Sequence, residues 1–138
     1  MNSRRHFSFF IQGIAAWAFF FVLGLPDYYQ QYSAPVIGSA SVLLQALIGV
    51  SAFAVLMPVA PEKRMAVACW AAFYFSVPFA ALDVAYCVLF KGHGVAYLRD
   101  YWYLSVFYVS MWVAFPPAAW VLNRVQKPVN PTHAHSRN

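Results

Sequence analysis

Asp83 stands where a carboxylate is costly. It lies in SVPFAALDVAYC, Ser76 to Cys87, within an apolar run from Met65 to Phe90. An aspartate at the centre of a membrane helix costs about 2.5–3.5 kcal/mol on insertion scales. Such a group survives by taking up a proton or by finding donors on neighbouring helices. Two chemistries follow. Asp83 either couples to a proton or ligand within the membrane, or pins helices together. Residues at a matching depth that can share its layer are Ser41, Ser105, Tyr86 and Tyr108. These five form the candidate site for ligand binding or proton coupling. Tyr108, Ser105 and Ser41 are expected nearest to the carboxylate.

Other reactive types carry less. His93 sits between glycines in GHG, and His133 and His135 form HAH near the C-terminus. A lone loop histidine is ordinarily solvated, and no metal site is expected from either. Cys69 and Cys87 are eighteen residues apart in one helical run, roughly 27 Å of rise, too far for a disulfide. The sequence has no GxSxG, HExxH, phosphate loop or Ser/His/Asp set, so hydrolytic, metal-peptidase and nucleotide chemistry have no support. No catalytic residue and no cofactor is assigned. A membrane enzyme would have only Asp83, His93 and Tyr108 to work with.

The elements that hold Asp83 follow from composition. Hydrophobic residues make up 62% of the 138-residue chain and charged residues 9%. A soluble domain is typically about 25% charged, and a chain this short cannot hide so much apolar surface from water. The excess faces a bilayer. Four segments approach the roughly 20 apolar residues that a spanning helix needs: about 7–25, 36–59, 65–90 and 101–122. Short connections make successive helices antiparallel. The expected fold is an all-α integral membrane protein, one domain over 1–125 with four transmembrane helices up-down-up-down, followed by a disordered cytoplasmic tail, 126–138.

Within these helices, Ala68, Ala72, Ser76 and Ala80 recur every fourth residue, a small stripe suited to close helix contact. Ser41, Gln45, Gly49 and Ala52 form a similar stripe on helix two, and Tyr101, Ser105, Tyr108 and Trp112 share a face of helix four. Pro78 should kink helix three. Pro116 and Pro117 should bend helix four or end its regular part early. Pro58 and Pro61 fit the end of helix two. Tyr28, Tyr29, Tyr32, Tyr97, Tyr101 and Tyr103 read as an interfacial aromatic belt.

The net charge is +5, but its basic residues are scattered, which excludes a nucleic-acid patch. They divide by topology instead. Arg4, Arg5, Lys63, Arg64, Arg124, Lys127 and Arg137 fall on one side, and Lys91 and Arg99 on the other. Basic residues stay in the cytoplasm, so both termini are expected there, in a bacterial inner membrane. The chain resembles the small multidrug resistance transporters in size and helix count alone. Their embedded glutamate lies in the first helix, where this chain has only Gln12. The expected role is structural or accessory to another membrane protein. The alternative is a small transporter, or a lipid- or hydrophobic-ligand-handling protein, oligomeric and using Asp83. The expected partners are the lipid bilayer and either a second copy or a membrane protein.

Overall fold

The computed structural model describes residues 3–24, 31–92 and 94–126. His93, Tyr28, Tyr29 and the tail from 127, with its HAH motif, lie outside the described residues. The helices are α1 (Ser3–Gly24), α2 (Ala34–Leu56), α3 (Pro61–Val84), α4 (Tyr97–Asp100) and α5 (Trp102–Val125). A π-helical segment, Ala85–Phe90, prolongs α3, and a 3₁₀ turn, Gly94–Ala96, precedes α4. Among the described residues there is no strand. Four of the helical stretches are long and apolar enough to cross a membrane.

The helix ends follow local chemistry. Pro35 stands in the first turn of α2, where a missing N–H costs nothing. Pro61 opens α3 rather than closing α2, and Glu62 in that first turn suits the positive end of the helix dipole. Gly92 and Gly94 adopt φ of 74° and 58°, a left-handed geometry that lets the chain leave the helix and turn.

One proline expectation is corrected. α5 does not end early: it stays helical past Pro116 and Pro117 to Val125. Phe115, Ala118, Ala119 and Leu122 are buried around the prolines, and that packing keeps the segment helical although two helical N–H groups are missing. α3 continues as α-helix through Pro78 to Val84, and a π-helical segment begins at Ala85. There the Lys91 N–H bonds the Tyr86 carbonyl at 2.9 Å, a five-residue step that widens the turn.

Contact pairs give the packing. His6 meets Trp70 and Tyr74, Trp17 meets Asp83, and Phe21 meets Tyr86, so α1 and α3 run the same way. Asp83 meets Tyr108, Ser76 meets Trp112, and Arg64 meets Asn123, so α5 runs against α3. α1 packs chiefly on α3, α2 chiefly on α5, and α3 against α5 is the most extensive interface. The main core joins Ile48, Ala52 and Leu56 of α2 to Val67, Ala68, Ala71 and Ala72 of α3 and to Met111, Phe115, Ala118, Ala119 and Leu122 of α5. The small stripe on α3 is buried at Ala68, Ala72 and Ser76, while Ala80 is only half-buried. On α2 the packed row is Ile48, Ala52 and Leu56. Gly49 faces open space, so the expected close contact there is displaced by about a quarter-turn.

α1 makes its close approach at Gly13. A Cβ built there would lie 2.5 Å from the Tyr74 carbonyl oxygen. Only a glycine lets the backbones come that near.

Arg64 is 2% exposed. Its Nε donates to the Leu56 carbonyl at 3.1 Å, Nη1 to Asn123 Oδ1 at 2.8 Å and Nη2 to Gln126 Oε1 at 2.8 Å. The planar guanidinium thereby ties the ends of α2 and α5 to the first turn of α3, sharing the Leu56 carbonyl with the Val59 N–H, which donates to it at 3.1 Å. Gln126, exposed at the C-cap of α5, joins this tie through its side-chain oxygen. At the other end, Tyr97 and Tyr101 are buried with Cys87 in a second cluster. These two tyrosines, read from the sequence as part of an aromatic belt, pack inward against the protein, where both meet Cys87 of the π-helical segment.

Candidate functional site

Asp83 sits on the face of α3 that continues the stripe from Arg64 through Ala68, Ala72 and Ser76 by steps of three and four residues. That spacing aims it at α5, and the side chain is 6% exposed. The Tyr108 hydroxyl donates to Asp83 Oδ2 at 2.5 Å. The Trp17 indole N–H donates to Oδ1 at 2.9 Å. Each oxygen thus has a donor from a different helix. A carboxylate has about four lone-pair sites, so the two bonds leave acceptor capacity for a third group.

The layer continues along the α3–α5 seam. Trp112 Nε1 donates to Ser76 Oγ at 3.0 Å, and that hydroxyl donates to the Ala72 carbonyl at 2.7 Å. Three polar ties, at Arg64, Ser76 and Asp83, therefore space the seam from end to end. All are reached by the same helical repeat, and all find their α5 partners on the row Gln126, Asn123, Trp112 and Tyr108.

A cavity of about 300 Å³ opens beside Asp83. Trp17, Phe20 and Phe21 form its α1 wall; Ile37, Ala40, Ser41 and Leu44 its α2 wall. Phe79 and Asp83 of α3, with Tyr103, Leu104 and Phe107 of α5, line the rest. It exists because α1 and α2 pack on different neighbours and leave a cleft between them. The lining is aromatic and aliphatic, with the carboxylate as its acidic group. Phe20, Phe79 and Phe107 pack ring against ring, with centroids 5.0–6.5 Å apart. Few, well-placed polar groups in an apolar concavity are the usual make-up of a small-molecule site.

The five residues expected at the site fall in different places. Tyr108 is bonded to Asp83. Ser41 lines the cavity from α2 but makes no hydrogen bond to the carboxylate. Ser105 is half-buried on α5 and also does not bond Asp83. Tyr86 packs on other partners: it meets Phe21 edge-on at 5.0 Å, stacks on Phe90 at 5.9 Å and lies under the Lys91 ammonium at 5.8 Å. Three residues along from Asp83, it falls on the side of the helix turned to the end of α1. Gln12 is exposed and bonds Ser8 of its own helix at 3.2 Å.

Trp17 is the site residue missing from the expected set. Its signal was slight. An indole in mid-helix carries one N–H that needs an acceptor when buried, and the sequence has one embedded acid to offer. Nearby, the phenol of Tyr97 in α4 is raised above its ordinary pKa, by burial first and then by the negative charge of Asp83. It stays neutral at physiological pH. Among the described residues no cluster of His, Cys, Asp or Glu can hold a metal ion.

Compared with protein-family models, with curated proteins and with solved structures, the chain matches none.

Proposed function

We propose that this chain is a multi-pass protein of a bacterial inner membrane that binds an apolar ligand in the cavity beside Asp83. Its four long helices cross as an up-down-up-down bundle with both termini in the cytoplasm. The observation that carries the reading is a carboxylate on the wall of an aromatic cavity of about 300 Å³. α1 and α2, which flank the cleft, offer a ligand a way in from the bilayer. The π-helical turn beginning two residues beyond Asp83 supports the same reading, since wide turns of this kind recur at functional sites. Transport, as distinct from binding, calls for a second copy, because four helices make a thin wall around a path.

Native mass spectrometry from mild detergent tests this. The wild-type protein should retain a bound lipid or other apolar molecule. Ser41→Phe, which fills the cavity from α2, should release it while the protein stays folded. A wild-type spectrum of bare protein, unchanged by added apolar ligands, would count against the reading.

A second reading is accessory: a scaffold that binds another membrane protein through a helix face. What favours it is that both Asp83 oxygens already have donors, from α1 and α5, so the carboxylate can serve as a pin alone. In that case the same spectra show a protein partner or self-association, and no small ligand.

A further inference from the structure

We infer that the occupant of the Asp83 cavity is a lipophilic amine, a single ammonium group on an apolar body. The inference rests on the ligand-binding reading above and names the ligand class. Among the described residues no lysine, arginine or histidine lines the cavity, so none of them gives the carboxylate a basic partner there. The two groups that bond Asp83, an indole N–H and a phenol, are neutral donors that orient it without neutralising it. They occupy one oxygen each, and the remaining lone pairs can accept from an N⁺–H donor. Charge-assisted bonds of that kind are the strong ones.

The rest of the wall suits a cation equally. Trp17, Phe20, Phe21, Phe79, Tyr103 and Phe107 put six aromatic side chains on the wall; aromatic rings attract an ammonium over their faces, and their area takes up an apolar body. An anionic lipid head would meet Asp83 as a like charge, with no cation among the described lining residues to offset it. A neutral body of the same shape would fill the aromatic part and gain nothing from the carboxylate as an ion. The hydroxyl of Ser41 stands across the cleft on α2 as a second polar contact.

Three probes sharing one body test this: phenylbutylammonium, phenylbutanol and phenylbutyrate. Binding is measured by equilibrium dialysis against the protein in lipid nanodiscs, with empty nanodiscs subtracted for partitioning. The ammonium should bind about tenfold or more tighter than the alcohol, the scale of a bond to a charged group, and the carboxylate probe weakest. Asp83→Asn keeps the shape and one acceptor oxygen, which can hold the Trp17 N–H while the amide N–H donates to the Tyr108 hydroxyl, and it should erase the preference for ammonium while alcohol binding persists. If the alcohol binds as well as the ammonium to the wild type, the ligand class is wrong and the cavity reading stands. Should none of the three bind above empty nanodiscs, the cavity reading itself fails. If Asp83→Asn does not fold, the wild-type preference still decides, and Ser41→Phe must abolish binding of both ammonium and alcohol.

Discussion

The bond between Tyr108 and Asp83 should be worth measuring by a double-mutant cycle, since it joins the two helices with the largest shared interface. Tyr108→Phe removes one hydroxyl and keeps the ring. The hydroxyl lies 2.5 Å from Asp83 Oδ2, a short contact of the charge-assisted kind. In water-soluble proteins a bond to a charged group contributes about 1.5–3 kcal/mol. Within membranes, side-chain bonds between helices average about 0.6 kcal/mol and reach about 1.7, because unfolded helices in lipid also find partners. Asp83 is buried and keeps Trp17 as a second donor, so losing Tyr108 leaves it partly satisfied. The expected cost of Tyr108→Phe is therefore about 1–2 kcal/mol, between the two scales. Asp83→Leu should cost more, about 2–4 kcal/mol, since it leaves two donors, on α1 and α5, without an acceptor. In the Asp83→Leu background the hydroxyl has nothing to bond, and Tyr108→Phe should be neutral or mildly stabilising. The coupling energy should then be about 1 kcal/mol or more. Reversible unfolding in mixed micelles with increasing dodecyl sulfate, followed by tryptophan fluorescence, gives the four free energies. Equal effects of Tyr108→Phe in both backgrounds would refute the argument, because the bond would then hold nothing together.

Three further outcomes follow from the packing. Arg64→Leu removes three hydrogen bonds, leaving the Leu56 carbonyl with the Val59 N–H alone and the half-buried Asn123 oxygen without its donor, and should lower stability by about 1–3 kcal/mol in the same unfolding assay; Arg64→Lys, with a point charge in place of a planar fork, should recover only part of that. Gly13→Ala should destabilise by about 1–3 kcal/mol by forcing α1 off α3, although helix propensity alone predicts a gain of roughly 1 kcal/mol; a rise in thermal stability would show that the close approach at Tyr74 is not made. A periplasm-active reporter fused after Asn138 should be silent and one inserted beside Gly92 active, and the reverse pattern would overturn the orientation drawn from the basic residues.

The sequence by itself determined the solvent and the secondary structure. Sixty-two per cent hydrophobic residues and four long apolar runs leave four helices able to cross a membrane as the outcome, because backbone groups in hydrocarbon must bond within their own segment. Helical spacing also made Asp83 legible: the stripe Ala68, Ala72, Ser76 fixes a face, and a residue in step with it must turn inward with it. What spacing does not encode is which helix lies across from that face. Tyr108 and Ser105 were equally eligible from the sequence, and the rotation of α5 about its axis, set by packing Phe115, Ala119 and Leu122 into the core, brought only Tyr108 to the carboxylate. Trp17 became visible only once α1 was seen to lie on α3 instead of beside α2, a choice made at Gly13, where one missing Cβ permits the approach. Arg64 reads in sequence as one more cytoplasmic charge. Its burial depends on three helix ends meeting at one level, which follows from the relative shift of the helices and from no local pattern. The cavity belongs to the same class. It is the space left because α1 and α2 pack against different partners, and a gap between non-neighbours appears only when all four helices are placed together.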